Sequence, residues 1–295
     1  VTFAANELDK VVDAINSKGF GLTFGLHTRV DTRVERIINR VKVGNIYVNR
    51  NQIGAIVGSQ PFGGEGLSGT GPKAGGPQYV RRFMQTASQQ QLAVSASASV
   101  SASASVSAEQ LQDAFTRLST QGWGHALARG QKLEALFGSV PAPLDAVPEV
   151  MPGPTGELNR LSCRPRGRVL CLGPDLATAM AQAGVALSQG NAVVVIAPGA
   201  AAALTSAKAA GIPAVGLDGL LQPEALEVAT GFEAIASAAD DKTLRTYRMA
   251  LSKRAGALLP LITEQNAPER FVIERHLCVD TTAAGGNASL IAASE

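Results

Sequence analysis

Leu8, Val11, Val12 and Ile15 recur at helical spacing, an apolar stripe that Gly19 can end. Phe20 to Thr28 reads as a short strand-like run broken by Gly21 and Gly25. Thr32, Arg33, Val34 and Glu35 stand in the order of a capping box, and Val34, Ile37, Ile38 and Val41 give a second stripe. Residues 43–49, Val-Gly-Asn-Ile-Tyr-Val-Asn, then read as a strand. This helix–strand–helix–strand order predicts a parallel sheet with helical crossovers, so the first unit, 1–86, is α/β.

The pattern then changes. Residues 87–108 run through Gln-Gln-Gln into alternating Ser, Ala and Val, which bury too little to hold a strand, and a flexible linker is expected there. A second unit, 109–295, opens with Leu111, Phe115 and Leu118 on one helical face. Pro141, Pro143, Pro148, Pro152 and Pro154 punctuate a long irregular stretch. Residues 168–173 read as a buried strand, 175–189 as an alanine-rich helix and 192–197 as a second buried strand. A helix over 200–210 and a short strand over 214–217 follow. Repeated βα units of this size describe an open Rossmann-like sheet. Arg270 to Val279 alternates apolar with charged residues, as a strand or hairpin arm would.

Between the strand at 43–49 and position 86 lies the most distinctive segment. Nine of the residues from 54 to 76 are glycine, so the chain can take backbone conformations closed to other residues, and the loop backbone becomes a working surface. None of these glycines stands directly after a strand in the phosphate-cradling order that opens a dinucleotide fold.

Composition narrows the class. The 295 residues are 45% apolar and 17% charged, with net charge +2, which gives no sign of a nucleic-acid surface. Cys163, Cys171 and Cys278 lack metal-ligand spacing and read as buried reduced thiols. His27, His125 and His276 are scattered and take no assigned role. No stretch approaches the roughly 18 apolar residues of a membrane span. The start at Val1, without Met or a leader pattern, reads as a cut end, with most of the first domain expected upstream.

The loop resembles the closing segment of the aldehyde dehydrogenase superfamily, in Asn49-Arg50, Gly54-Ala55, Gln60 to Gly64 and Ser68 to Gly71. Within that superfamily it is most similar to the glutamate-semialdehyde (pyrroline-5-carboxylate) dehydrogenase module of the bifunctional proline-utilization flavoproteins. Residues 152–157, 168–172, and Glu274-Arg275 leading into 282–290 resemble the C-terminal domain of the longer members of that family. The implied fold is the end of an aldehyde dehydrogenase catalytic domain, then a degenerate Rossmann-like α/β domain with a terminal tail motif at 281–290. That second domain is expected to cover the catalytic module and help enclose a route between two active sites.

The resemblance implies a parent that oxidises proline with FAD and glutamate semialdehyde with NAD. Its nucleophilic Cys, general base and nicotinamide-ribose segment match nothing in this chain, so no catalytic residue is assigned and the piece alone is expected to be inert. By the same resemblance, Gly54 and Ala55 offer backbone N–H groups to the substrate carboxylate, and Phe62 packs against its aliphatic stem. Asn49 is expected to satisfy loop backbone rather than ligand. Residues 189–198 resemble a cofactor strand of the family but place Ala197 where the ribose-holding Lys stands, so neither NAD nor FAD is expected on this piece. The expected partners are glutamate semialdehyde and the rest of the catalytic chain, with a homo-oligomer allowed. The expected location is the cytoplasm, and the family allows peripheral attachment of the parent to the inner membrane. Gly285, Gly286 and Asn287 are expected in a docking tail rather than a phosphate loop. The alternative reading is a noncatalytic lid that works only by assembly with a catalytic chain.

Overall fold

The computed structural model describes residues 2–84, 105–118, 123 and 126–282. The chain starts with α1 (Leu8–Asn16), β1 (Phe20–Gly21), β2 (Thr23–Leu26), α2 (Asp31–Arg40), β3 (Asn45–Val48) and β4 (Glu65–Gly66). Next come β5 (Ser105–Val106), α3 (Ala108–Thr116), α4 (Ala126–Phe137), β6 (Glu149–Met151), β7 (Glu157–Pro165) and β8 (Arg168–Cys171). The middle of the second unit holds α5 (Leu176–Ser188), β9 (Ala192–Ile196), α6 (Ala200–Ala203), β10 (Ala214–Leu217) and β11 (Leu220–Leu221). It ends with α7 (Ala225–Val228), β12 (Ala234–Ala236), α8 (Asp241–Ser252), β13 (Leu261–Ile262) and β14 (Val272–Asp280).

Two five-stranded sheets organise these elements. The Rossmann-like sheet runs β10-β9-β8-β12-β13 with every pairing parallel. Its central strands are buried on both faces, as parallel strands between helical layers must be. Val169, Cys171, Val193 and Val195 pack on one side against α5, and Leu170, Val194 and Ile196 on the other against Leu111 and Phe115. Alanines 179, 183 and 186 let α5 lie close to the sheet.

The second sheet runs β2-β3-β14-β7-β6 and crosses the boundary between the two sequence units. β14 pairs parallel with β3 on one side and antiparallel with β7 on the other. The strand or hairpin arm expected at 270–279 is thus a central strand, and it completes a sheet begun two hundred residues earlier. Ile46, Val48 and Val279 pack with Val12, Ile37 and Val41 of the expected helical stripes.

α2 starts at Asp31 with Val30 as an uncapped N-cap, so Thr32 lies inside the helix and makes no capping box; Asp31 and Arg40 complement the helix dipole instead. Residues 105–108 are not linker: β5 pairs with β11, and Ser107 and Gln110 form a reciprocal capping box. The rest of the expected linker, 87–104, lies outside the described residues. The helix expected over 200–210 is helical only at 200–203, and the chain continues mostly in i→i−3 turns, donated by the Thr205, Ala207 and Gly211 amides. Strands at 149–151 and 157–165 replace part of the irregular stretch. Of the tail motif, residues 283–290 lie outside the described residues, as does His125.

Candidate functional site

Alternation along the mixed sheet sends Ile46 and Val48 into the apolar cluster and leaves Asn45 and Tyr47 on the opposite face. On that face β14 contributes Glu274, His276 and Cys278, and β7 contributes Glu157 and Asn159, in the register His276↔Asn45, Cys278↔Tyr47 and Cys278↔Asn159. The glycine-rich loop lies across this polar face.

Asn45 is fully buried and holds the loop at two atoms. Its Nδ2 donates to the Pro61 carbonyl at 2.9 Å, and its Oδ1 accepts from the Gly63 amide at 3.1 Å and from Lys73 Nζ at 2.9 Å. Lys73 Nζ also donates to the Gly63 carbonyl, and the Lys73 amide donates to Glu274 at 2.6 Å. Phe62 and Ala74 exchange two backbone hydrogen bonds of 3.0 and 2.8 Å. Phe62 is therefore fixed on both sides by its backbone. Its side chain is half-buried and belongs to none of the three hydrophobic clusters of the described residues.

At the loop's entry, Arg50 pairs with Glu157 at 2.8 Å and lies 5.5 Å from the Tyr47 ring centroid. Gln60, 3% exposed, donates to Glu157 at 2.5 Å and accepts from the Ile56 amide at 3.2 Å. The Cys278 thiol donates to Glu157 at 3.1 Å. Burial pushes the Glu157 carboxyl up, but hydrogen bonds from Asn159, Cys278 and Gln60 and the charge of Arg50 outweigh it and hold the group below the usual carboxylate range. Burial lowers Lys73 to about 8 against the pull of Glu274 and Glu65. It also lowers His276 to about 4, with the Lys73 charge acting in the same direction.

Gly54 and Ala55 form the part of the loop that faces out. Gly54 has φ +82°, and a β-carbon there would have no atom within 4 Å. Among the described residues neither the Gly54 nor the Ala55 amide is engaged in a hydrogen bond, whereas the flanking amides are: Ile53 donates to Asn51 Oδ1 at 3.0 Å and Ile56 to Gln60. Asn49 takes up φ +58° and spends its side chain on both backbone groups of Thr28, so it serves loop backbone.

The crevice of the Rossmann-like sheet lies where the strand order reverses, between β8 and β12. There the Gly173 amide donates to Gln182 at 3.0 Å, and the Gly173 carbonyl accepts from Ser237 Oγ and the Ala238 amide. Asp175 caps α5 by accepting from Thr178 at 2.8 Å, which puts a carboxylate where a pyrophosphate would sit. These residues do not fit a dinucleotide.

Cys171 and Cys278 are buried as expected, whereas Cys163 is only half-buried. Desolvation raises the Cys163 and Cys278 thiols to about 12 and Cys171 further still, so none is a thiolate near neutral pH. Sequence reasoning missed Asn45, Lys73, Glu157 and Glu274. Asn45 is a polar residue inside an apolar strand, and Glu157 and Glu274 fall in segments that carry the resemblance, but none of these signals pointed to a role at the loop. Among the described residues no group of three His, Cys, Asp or Glu side chains is placed to hold a metal, and no helix is long and apolar enough to cross a membrane.

The aldehyde dehydrogenase family model matches residues 1–88. The bifunctional protein PutA of Escherichia coli (strain K12) is 38% identical over 299 residues, covering 99% of this chain and 22% of that protein. The chain is homologous to the C-terminal part of PutA. PutA of Rhizobium meliloti is 33% identical over 99% of this chain and 23% of its own length. The chain thus spans about a fifth of the length of these curated relatives. A 1-pyrroline-5-carboxylate dehydrogenase of Bacillus subtilis (strain 168) is 46% identical over 81 residues, 28% of this chain and 16% of that protein. The solved structure of PutA from Corynebacterium freiburgense covers 92% of this chain and 24% of its own, at 22% identity and TM-score 0.48. The homology to PutA runs through both sequence units, in keeping with a sheet that joins them.

Proposed function

We propose that this chain is the substrate-holding end of an NAD-dependent glutamate-semialdehyde dehydrogenase within a PutA-type enzyme of proline catabolism. The parent also oxidises proline through FAD. The reading is supported by the PutA homology over both units and by the pyrroline-5-carboxylate dehydrogenase relative, whose match is an 81-residue segment. The observation that carries the site is the pair of unspent amides at Gly54 and Ala55, bracketed by amides that are satisfied. Two such N–H groups in a left-handed turn can accept a carboxylate without a cation. Phe62, clamped through its backbone, offers an apolar surface to the methylene stem.

When bound in the parent, NAD supplies the hydride acceptor. The chain's own residues orient the substrate by its far end, so that the aldehyde meets a nucleophile supplied by the rest of the parent. With its thiols protonated near neutral pH, the chain alone is inactive. The parent works in the cytoplasm, where it associates with copies of itself and touches the inner membrane peripherally. The test is turnover by the full-length parent carrying Gly54→Pro or Phe62→Ala. A raised KM and a lowered kcat for glutamate semialdehyde are expected; wild-type values in both variants defeat the anchor.

A second reading, a noncatalytic cover, is favoured by the central place of β14 in the shared sheet. It parts from the first on whether residues 54–62 meet substrate, and the same two variants decide between them.

A further inference from the structure

We infer that the second unit holds the substrate loop at both of its ends through two carboxylates, the half-buried Glu157 and the buried Glu274, acting as positioning residues. This rests on the reading of Gly54, Ala55 and Phe62 as the anchor.

The loop runs from Arg50 to Lys73, and its two ends are gripped by adjacent, paired strands of the other unit. At the entry, Glu157 accepts from Gln60 Nε2, which leaves Gln60 Oε1 to accept from the Ile56 amide. Ile56 follows Ala55 directly. The chain of contacts Glu157, Gln60, Ile56 therefore ends one residue from the two free amides. A carboxylate can only accept at this contact, so it fixes which end of the Gln60 amide faces the loop. Arg50, held by the same carboxylate at 2.8 Å, pins the start of the loop.

At the exit, Glu274 accepts from the Lys73 amide at 2.6 Å. Lys73 Nζ grips the Gly63 carbonyl, and the next residue, Ala74, exchanges two hydrogen bonds with Phe62. Glu274 thus acts on the Phe62 end of the anchor as Glu157 acts on the Gly54 end. Charged hydrogen bonds of this kind, away from water, set geometry tightly. The second unit is then more than a cover, since it sets the distance between carboxylate donors and aromatic wall.

The experiment uses the full-length dehydrogenase and the ratio of kcat/KM for glutamate semialdehyde to that for pentanal, a five-carbon aldehyde without the carboxylate. Glu157→Gln and Glu274→Ala are expected to lower that ratio by about tenfold, the effect of losing a charged hydrogen bond, with the KM for NAD unchanged. Glu274→Gln keeps an acceptor oxygen for the Lys73 amide and is expected to stay within roughly threefold of wild type. An equal loss on both aldehydes, or an unchanged ratio, overturns the inference. If Glu274→Ala does not fold, Glu157→Gln decides by the same criterion. Gly54→Pro separates the two levels. A ratio that falls there but not in the Glu variants leaves the anchor and removes the clamp, and a ratio unmoved by Gly54→Pro removes both.

Discussion

Gly44→Ala tests the loop's geometry without touching any group proposed to meet substrate. A β-carbon at Gly44 would lie 1.9 Å from the Gly63 carbonyl oxygen and 2.8 Å from Lys73 Nζ. The strand cannot yield, because the Gly44 amide donates to Gly21 at 2.9 Å and its carbonyl accepts from His276 at 2.9 Å. Gly63 must retreat by about 1 Å to reach even the closest contact real β-carbons make. Its amide is held by Asn45 and its carbonyl by Lys73, so the retreat drags both partners and the backbone of Phe62. Overpacking of this kind costs about 1–3 kcal/mol of stability. A displacement of about 1 Å at a substrate-positioning element costs on the order of 100-fold in rate, equivalent to about 2.7 kcal/mol. In the full-length enzyme, thermal unfolding should shift down and kcat/KM for glutamate semialdehyde should fall roughly 100-fold. Gly54→Ala is the contrast: open space surrounds that site, so only about 1 kcal/mol of left-handed strain is expected, with the fold retained. Wild-type melting and kinetics in Gly44→Ala would refute the packing of the loop on β3.

His276, facing Lys73, Arg50 and Glu157, gives a pH signature. Its folded value of about 4 lies below the ordinary 6.5, so the unfolded chain takes up the proton first as pH falls. Its contribution to stability is complete above pH 6.5 and is lost progressively down to pH 4; urea midpoints across that window should fall more steeply in wild type than in His276→Gln. The thiols give a chemical one. With Cys163 and Cys278 raised to about 12, and Cys171 higher, alkylation by iodoacetamide at neutral pH should be slow in the folded chain and rapid in denaturant. Fast labelling of Cys171 or Cys278 in the native state contradicts their burial.

The parts of the fold that were legible are those whose apolar pattern is local. The stripes at 8–15 and 34–41, the buried strands near 170 and 194 and the alanine-rich helix between them all occur where their spacing puts them. β7 was not legible because its buried Leu158 and Leu161 alternate with arginines. Arg164 reaches across to the carbonyls of Ile38 and Asn39 at the end of α2, and Arg275 of β14 does the same to Ile38. Such side chains bury their stems and pair their heads, which erases the contrast that marks a strand. The candidate anchor residues lay in a loop that composition made conspicuous. Their supports were hidden: Lys73 lies in the same loop, but Asn45, Glu157 and Glu274 reach that loop only through a register joining residues as far apart as 45 and 276. No window of sequence holds that information.

The proposed anchor rests on the backbone amides of residues 54 and 55 receiving the substrate's distal carboxylate. A crystal structure of the full-length enzyme soaked with glutamate, the reaction product, tests it most directly. One glutamate carboxylate is expected within about 3 Å of both amide nitrogens, with the Phe62 ring against the methylene groups. A glutamate bound by cationic side chains elsewhere, with those two amides facing only water, would contradict it.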